Sequence, residues 1–332
     1  MSNGGGFGGG GKPGSGGNNG MPEFCQSRQR VQREIQRAKV VFALGRNATM
    51  STPFGTAGAT RLSAAQQVIR DVVKANQRAV AFGYEDFPAA LGACQNGSSC
   101  CTNTSTFPAF PSLFNYGLID SALMSCDVSS GASGCVFQST SRPLADVLRN
   151  VLSPPQGAPL LDPLDTADQR LVLIVDGSPG CSSEDASVSC SNALKQLSQL
   201  RARVRIHVIP IGVDVDAESS ACLKSIALQG DSEATTAQPF VYRAADPTQL
   251  MRSLYDIAAD AANAACIIQL IQVPADPRRV SLEINRQTVP QGSSNGWTFA
   301  PGSGSTIEVH GEWCDRLKNV TRDDEVTVWN CQ

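Results

Sequence analysis

Apolar and polar positions change period along this chain, and the changes divide it. Lys39 to Leu44 (KVVFAL) is a continuous apolar run of the length of a buried strand, and Arg61 to Asn76 places Leu62, Ala65, Val68, Ile69, Val72 and Val73 on one helical face. Ala79 to Tyr84 (AVAFGY) reads as a second strand, followed by a Cys- and Pro-rich excursion from Phe87 to Phe110. Pro111 to Cys126 predicts a helix, Cys135 to Gln138 a third strand, and Pro143 to Leu152 a helix through Leu144, Val147, Leu148 and Val151. Arg170 to Val175 (RLVLIV) is the clearest buried strand and ends at Asp176-Gly177. A helix capped by Ser191, strand Val204 to Val213, helix Ala217 to Leu228, strand Phe240 to Tyr242 and a helix from Pro247 to about Ala265 follow, the last opened by Asp246 and proline at its first turn.

Strands too apolar to have a wet face, alternating with helices, predict an α/β fold: a doubly wound, mostly parallel sheet covered on both sides. After Cys266 the period becomes two. Val280 to Ile284, Thr298 to Phe299, Thr306 to His310 and Glu325 to Trp329 alternate between Gly-, Pro-, Ser- and Asn-rich turns, which predicts a small antiparallel β module. The first residues are mostly Gly, Ser and Asn, too polar to offset the cost of ordering a backbone. The expected organisation is a disordered tether over 1–22, an α/β domain over 23–265 and a β module over 266–332. The tether contains matches to two phosphate-loop patterns (Gly4-x-Gly6-x-x-Gly9, and Gly6 to Lys12), but neither follows a strand, and Pro13 stands where a magnesium-binding hydroxyl belongs.

Composition narrows the function classes. With 332 residues, 17% of them charged, and a net charge of -3, the chain has no basic excess to neutralise phosphates, so nucleic acid is not an expected partner. No run of about 18 apolar residues occurs, so no transmembrane segment is expected. Two histidines, His207 and His310, nearly exclude multi-histidine zinc sites and Ser-His-Asp chemistry. His207, within an apolar strand, is expected to be a core residue, His310 structural or surface, and Glu85-Asp86 a solvated loop rather than a catalytic pair.

Twelve cysteines with no C-x-x-C spacing argue for disulfides and therefore for an oxidising location, extracellular, cell-surface or periplasmic. The N-terminus lacks the charged and apolar regions of a leader, so export would rely on a leader already removed or on a start further upstream, with envelope anchoring through it. Sequence separation alone suggests the pairs Cys181 with Cys190, Cys126 with Cys135, Cys314 with Cys331, and Cys94 with Cys100 or Cys101.

The order of these segments carries a resemblance. The apolar strand ending at Leu44, the loop through Met50, the helix from Arg61, the strand leading to Phe87-Pro88, and LVLIVDGSPGC followed by a helix and VIPIGV together resemble a von Willebrand factor A domain over about Lys39 to Ala265. The bacterial surface branch of that family, with several disulfides and a terminal Cys-bearing β module, is similar in particular, the module resembling Cys266 to Gln332 with its H-G-E-W-C run and closing Cys331. The resemblance implies a metal-ion-dependent adhesion site: a D-x-S-x-S loop after the first strand, a Thr from a second loop and an Asp after a later strand.

This chain departs from that pattern. Gly45 takes the first Asp position, Asn47 and Thr49 the two Ser positions, and Asp176 matches the last acid, with Gly177 beside it. The Thr position falls on or near Arg142, with Thr140 two residues away, which would set a guanidinium where the cation belongs. At an effective dielectric of about 20, one charge 4 Å away is worth about 4 kcal/mol, so the exchange removes most of the attraction a divalent ion needs. The expectation is a vestigial site at Asn47, Thr49 and Asp176 with no physiological metal and no cofactor, the alternative being weak magnesium binding through those three. Asp176 has a second reading as the cap of a tight turn.

Together these readings predict a non-enzymatic adhesion or protein-binding domain. It would contact a protein or cell-surface macromolecule through a strand-end edge that includes Asn47, Thr49, Thr140, Arg142, Asp176 and Gly177. A hydrolase-like enzyme on the same sheet and a structural envelope component are the alternatives.

Overall fold

A computed structural model of the chain describes residues 28–55, 58–88, 109–124, 141–154, 157–162, 164–165, 167–180, 186–200, 204–213, 220–230, 240–321 and 325–331. The expected tether, the strand at 135–138, the helix start at 217–219, Thr140, and Cys94, Cys100, Cys101, Cys126, Cys135 and Cys181 lie outside them. The fold is α/β with three sheets.

The central sheet has the order β5-β4-β3-β6-β7. Its strands are β3 (Lys39–Gly45), β4 (Ala81–Phe87), β5 (Ala109–Ser112), β6 (Gln169–Val175) and β7 (Val204–Pro210). β3, β4, β6 and β7 run parallel, while β5 is antiparallel to β4 at one edge. Gly83 makes that edge possible, because a Cβ there would meet the Ala109 carbonyl oxygen at 2.8 Å. The expected strand at Phe240 to Tyr242 is reduced to a single parallel bridge between Val208 and Val241.

Side chains alternate between two faces, as strand geometry demands. Val40, Phe42, Leu44, Val172, Ile174 and Ile209 pack with α1 (Arg61–Asn76), α2 (Tyr116–Met124) and α6 (Pro247–Asn263). Val41, Ala43, Leu171, Leu173, Val175, Ile206 and Val208 pack with α3 (Leu144–Leu152), α4 (Ala186–Leu200) and α5 (Ala221–Gln229). Helices therefore cover both faces, and this is why the strands carry no polar face.

Local chemistry sets the helix starts. Thr60 and Ser63 form a reciprocal capping box at α1, and Asp246 accepts from the Gln249 amide at 2.9 Å ahead of Pro247 in α6. Ser191 does not cap. It lies inside α4, where its hydroxyl donates to the Ser187 carbonyl at 2.9 Å, the back-bonding a mid-helix serine makes.

The remaining strands form two antiparallel sheets. One has the order β1-β13-β9-β10 and the other β11-β12-β8-β2. Their ranges are β1 Arg28–Val31, β2 Arg33–Ile35, β8 Ile267–Leu270, β9 Val280–Ile284, β10 Gln287–Val289, β11 Trp297–Phe299, β12 Thr306–Val309 and β13 Val326–Cys331. They share one core of Ile35, Ile268, Leu270, Leu282, Ile284, Trp297, Ile307, Val326 and Val328. Residues 28–35, which the pattern grouped with the strand-helix region, hydrogen-bond into these sheets, with Arg28 opposite Cys331 and Ile35 opposite Ile268. A short helix the alternation did not predict, α7 (Glu312–Lys318), lies between β12 and β13.

The disulfides correct two expected pairings. Cys190 bonds Cys222, tying α4 to α5, rather than Cys181; Cys314 bonds Cys266, rather than Cys331. Cys331 is itself in a disulfide. Separation favoured short loops, but pairing follows distance in the fold, with Cα atoms 5.9 and 5.1 Å apart across partners 32 and 48 residues distant.

Candidate functional site

The parallel strands end on one edge, and the loops there bring four of the six expected residues into one hydrogen-bonded cluster. β3 runs into a single 3₁₀ turn over Ala48–Ser51 that carries Asn47 and Thr49 inward; β6 ends at Asp176. Asp176, its side chain 2% exposed, accepts from Asn47 Nδ2 at 2.7 Å, from the Thr49 hydroxyl, and from Arg142 Nε at 2.7 Å. Arg142 Nη2 adds bonds to Asp176 Oδ2 at 3.4 Å and to Thr49 Oγ1 at 3.3 Å.

Arg142 is held at both ends. Its amide donates to the Gly180 carbonyl at 2.6 Å and its carbonyl accepts from the Gly180 amide at 3.2 Å, a bridge that fixes the segment just before α3 against the loop after β6. Gly177 makes room for the guanidinium: a Cβ there would lie 3.1 Å from Arg142 Cζ. Thr140, the sixth expected residue, is outside the described residues. The oxygens of Asp176, Thr49 and Asn47 thus converge on one another and on a guanidinium. Among the described residues, no group of three His, Cys, Asp or Glu side chains could hold a metal ion.

Beneath this cluster is a second ion pair that the pattern did not reveal. Glu85 and Asp86 are not solvated: both lie on β4 and are buried. Arg46, next to Asn47, pairs with Asp86 at 3.0 Å, both side chains at most 6% exposed, and its amide donates to the Phe87 carbonyl at 2.7 Å. Burial of an acid in low dielectric requires such a partner. The run AFGYEDF held one signal, that β4 continues past Tyr84; that Arg46 meets Asp86 across neighbouring strands had none.

A third arginine closes the edge toward β7. Arg61 Nη2 donates to the Gly212 carbonyl at 3.1 Å, and Gly212 has φ of 62°, where a Cβ would come within 2.6 Å of that guanidinium. Gly212→Ala is expected to lower stability by about 1 kcal/mol or more, from the positive φ and the clash together, read as a shift in urea midpoint. An unchanged midpoint would contradict this packing.

Neither histidine belongs to the edge. His310 Nε2 is 2.9 Å from the Thr298 hydroxyl within the β module. His207 sits midway along β7 opposite Val172, with Nδ1 3.0 Å from the Tyr242 hydroxyl and rings of Phe240 and Tyr242 alongside. Burial, reinforced by the charges of Arg170 and Arg205, pushes its pKa down to about 3. An unfolded imidazole titrates near 6.5, so the unfolded chain binds the extra proton between pH 6.5 and about 3. This contribution to stability is complete above pH 6.5 and is lost as pH falls through that window. His207→Phe is expected to flatten the slope of unfolding free energy measured by urea titration between pH 7 and 4.5; an unaltered slope would show that His207 does not carry it.

No protein-family model matches the chain, and no curated protein matches it. Among solved structures, the pilus adhesin SpaC from Lactobacillus rhamnosus GG, in its open conformation, aligns with a TM-score of 0.48 and 12% identity over 90% of this chain and 39% of its own. The PilB minor pilin from Streptococcus sanguinis aligns with a TM-score of 0.49 and 12% identity over 69% of this chain and 62% of its own. An aerotolerance-related membrane protein from Bacteroides fragilis aligns at 0.40 and 15% identity over 67% and 99%. The chain spans about two-fifths of the length of the adhesin. Likeness this remote leaves the function to be argued from the site itself.

Proposed function

We propose that this chain is an exported, non-enzymatic binding protein of von Willebrand factor A type, acting at the cell surface or in the surrounding medium through the carboxyl edge of its central sheet. The α/β body from Lys39 to Ala265 presents the edge, and residues 28–35 belong with the β module after Cys266. One observation carries the reading: the Arg142 guanidinium occupies the convergence of Asp176, Thr49 and Asn47, bonding two of them directly. A fixed positive charge already neutralises the one carboxylate of that cluster, so recognition there depends on loop shape and hydrogen bonds and needs no divalent ion. The bonded cysteines support an oxidising location.

The test couples adhesion to metal dependence. Beads coated with the protein are expected to bind an extracellular-matrix surface equally in EDTA and in magnesium, and to lose binding when the exposed loop residue Ser51 is replaced by Trp. Calorimetric titration with manganese is expected to show no micromolar site. Micromolar binding that disappears in Asp176→Ala, or adhesion abolished by EDTA, would overturn the proposal.

A further inference from the structure

We propose that His207 is an acid-sensitive latch: protonation of its imidazole releases segment 240–244 from the outer side of β7 while the rest of the central sheet stays folded. The inference stands apart from the binding edge and adds a pH-dependent local opening to the α/β body.

The fastening of the segment comes first. β7 is the last strand of its sheet, and one side of it is laddered to β6 along its whole length, from Val204 to Pro210. On the other side the Val208 amide donates to the Phe240 carbonyl at 2.8 Å, the Tyr242 amide to the Val208 carbonyl at 2.9 Å, and the Gly212 amide to the Ala244 carbonyl at 2.8 Å. The Ser253 hydroxyl of α6 adds a bond to the Arg243 carbonyl at 3.4 Å. A segment fastened by so few bonds at a sheet edge opens at lower cost than the ladder beside it.

The imidazole comes second. Phe240 and Tyr242 close over His207, with ring centroids 5.0 and 5.7 Å away, and leave it 2% exposed. A neutral imidazole has one donor and one acceptor, and the contact between Nδ1 and the Tyr242 hydroxyl uses one of them. Nε2 is buried and has no hydrogen-bond partner among the described residues. Protonation makes both nitrogens donors and places a charge on the ring, while Nε2 still has no acceptor.

The charged groups nearby do not relieve that cation. Arg170 of β6 and Arg205 of β7 oppose it. Asp260 of α6 favours it, but that carboxylate is bonded to Arg170 Nη1 at 2.6 Å. Asp168 is bonded to Arg170 Nη2 at 2.6 Å and lies 3.8 Å from Arg205, and Asp256 of α6 acts on Tyr242. Water is the remaining source of relief, and lifting 240–244 admits it with the loss of the fewest bonds.

Linkage fixes the sign. With the segment in place, burial and then the two arginines hold the His207 pKa down to about 3, whereas a solvated imidazole titrates near 6.5. The lifted form binds the extra proton between those values, so falling pH favours opening. Between pH 7.5 and 4.5 the opening constant rises about 100-fold.

The test is native-state amide exchange of the full chain, read as protection factors, which divide out the intrinsic pH dependence of exchange. The amides of Val208, Tyr242 and Gly212 are expected to be less protected than those of β3 at every pH, and to lose about 100-fold of protection between pH 7.5 and 4.5. His207→Phe is expected to abolish that loss. Tyr242→Phe keeps the ring and deletes the hydroxyl; it is expected to raise opening about fivefold at each pH and to retain the pH dependence. The ring resonances of His207 in the unsubstituted chain need no variant, and are expected to remain those of a neutral imidazole at about pH 5. Protection at the three amides equal to that in β3, protection that does not change with pH, a pH dependence kept in His207→Phe, or a His207 ring already protonated at about pH 5 would each overturn the inference.

Discussion

Arg46→Ala is expected to destabilise the protein by about 3–5 kcal/mol, the cost of leaving a buried charge without its partner. Arg46 and Asp86 are 3.0 Å apart, with side chains 5% and 6% exposed, and Glu85 is buried beside them on the same strand. Removing the guanidinium takes away the opposite charge that Asp86 faces in a low-dielectric interior. The double variant Arg46→Met with Asp86→Leu removes both charges and is expected to recover most of the loss, because a well-packed apolar pair commonly matches a buried ion pair. Urea unfolding of Arg46→Met, Asp86→Leu and the double variant measures the coupling directly. A single-variant loss below about 1 kcal/mol would show that the pair is solvated after all. Because Arg46 immediately precedes Asn47, the destabilised variant is also expected to misplace the edge.

The second large effect is covalent. Replacing Cys266 and Cys314 together by Ser is expected to cost about 4 kcal/mol, since opening a loop of 48 residues returns that much chain entropy to the unfolded state. The bond ties the end of α6, where the chain leaves the α/β body, to α7 of the β module. The loss is expected to show as earlier proteolysis and faster amide exchange in β8 and α7 than in β3 and β6. Exchange raised uniformly over the chain would instead indicate that the two regions unfold as one unit. Opening Cys190–Cys222, whose partners are 32 residues apart in sequence, is expected to cost slightly less, about 3.7 kcal/mol by the same relation, and to loosen α4 and α5.

Much of the framework was legible in the pattern. KVVFAL and RLVLIV are strands because both their faces are apolar, and the sheet between helices provides two apolar faces. The amphipathic stripe of α1 and the Asp246-Pro247 start of α6 announce themselves because caps and stripes are local chemistry. Of the candidate site, Asn47, Thr49, Asp176 and Arg142 were singled out through the resemblance in segment order, and hydrogen bonds bring the four together. Glu85-Asp86 was misread for a local reason: adjacent acids look like a solvated loop until an arginine from the neighbouring strand is placed against them.

By itself, the sequence determined what depends on near neighbours: which segments are strands, which face of each helix is apolar, where period 3.6 gives way to period two, and that twelve thiols favour an oxidising location. Only the tertiary structure decided what depends on residues far apart in sequence. It brought β1 and β2 into the terminal module, paired Cys190 with Cys222 and Cys266 with Cys314, and set Arg142 against Asp176 across 34 residues. Periodicity reports whether a side chain is buried, whereas charge pairing and sulfur bridging depend on distance in space, which the packing of the whole chain sets.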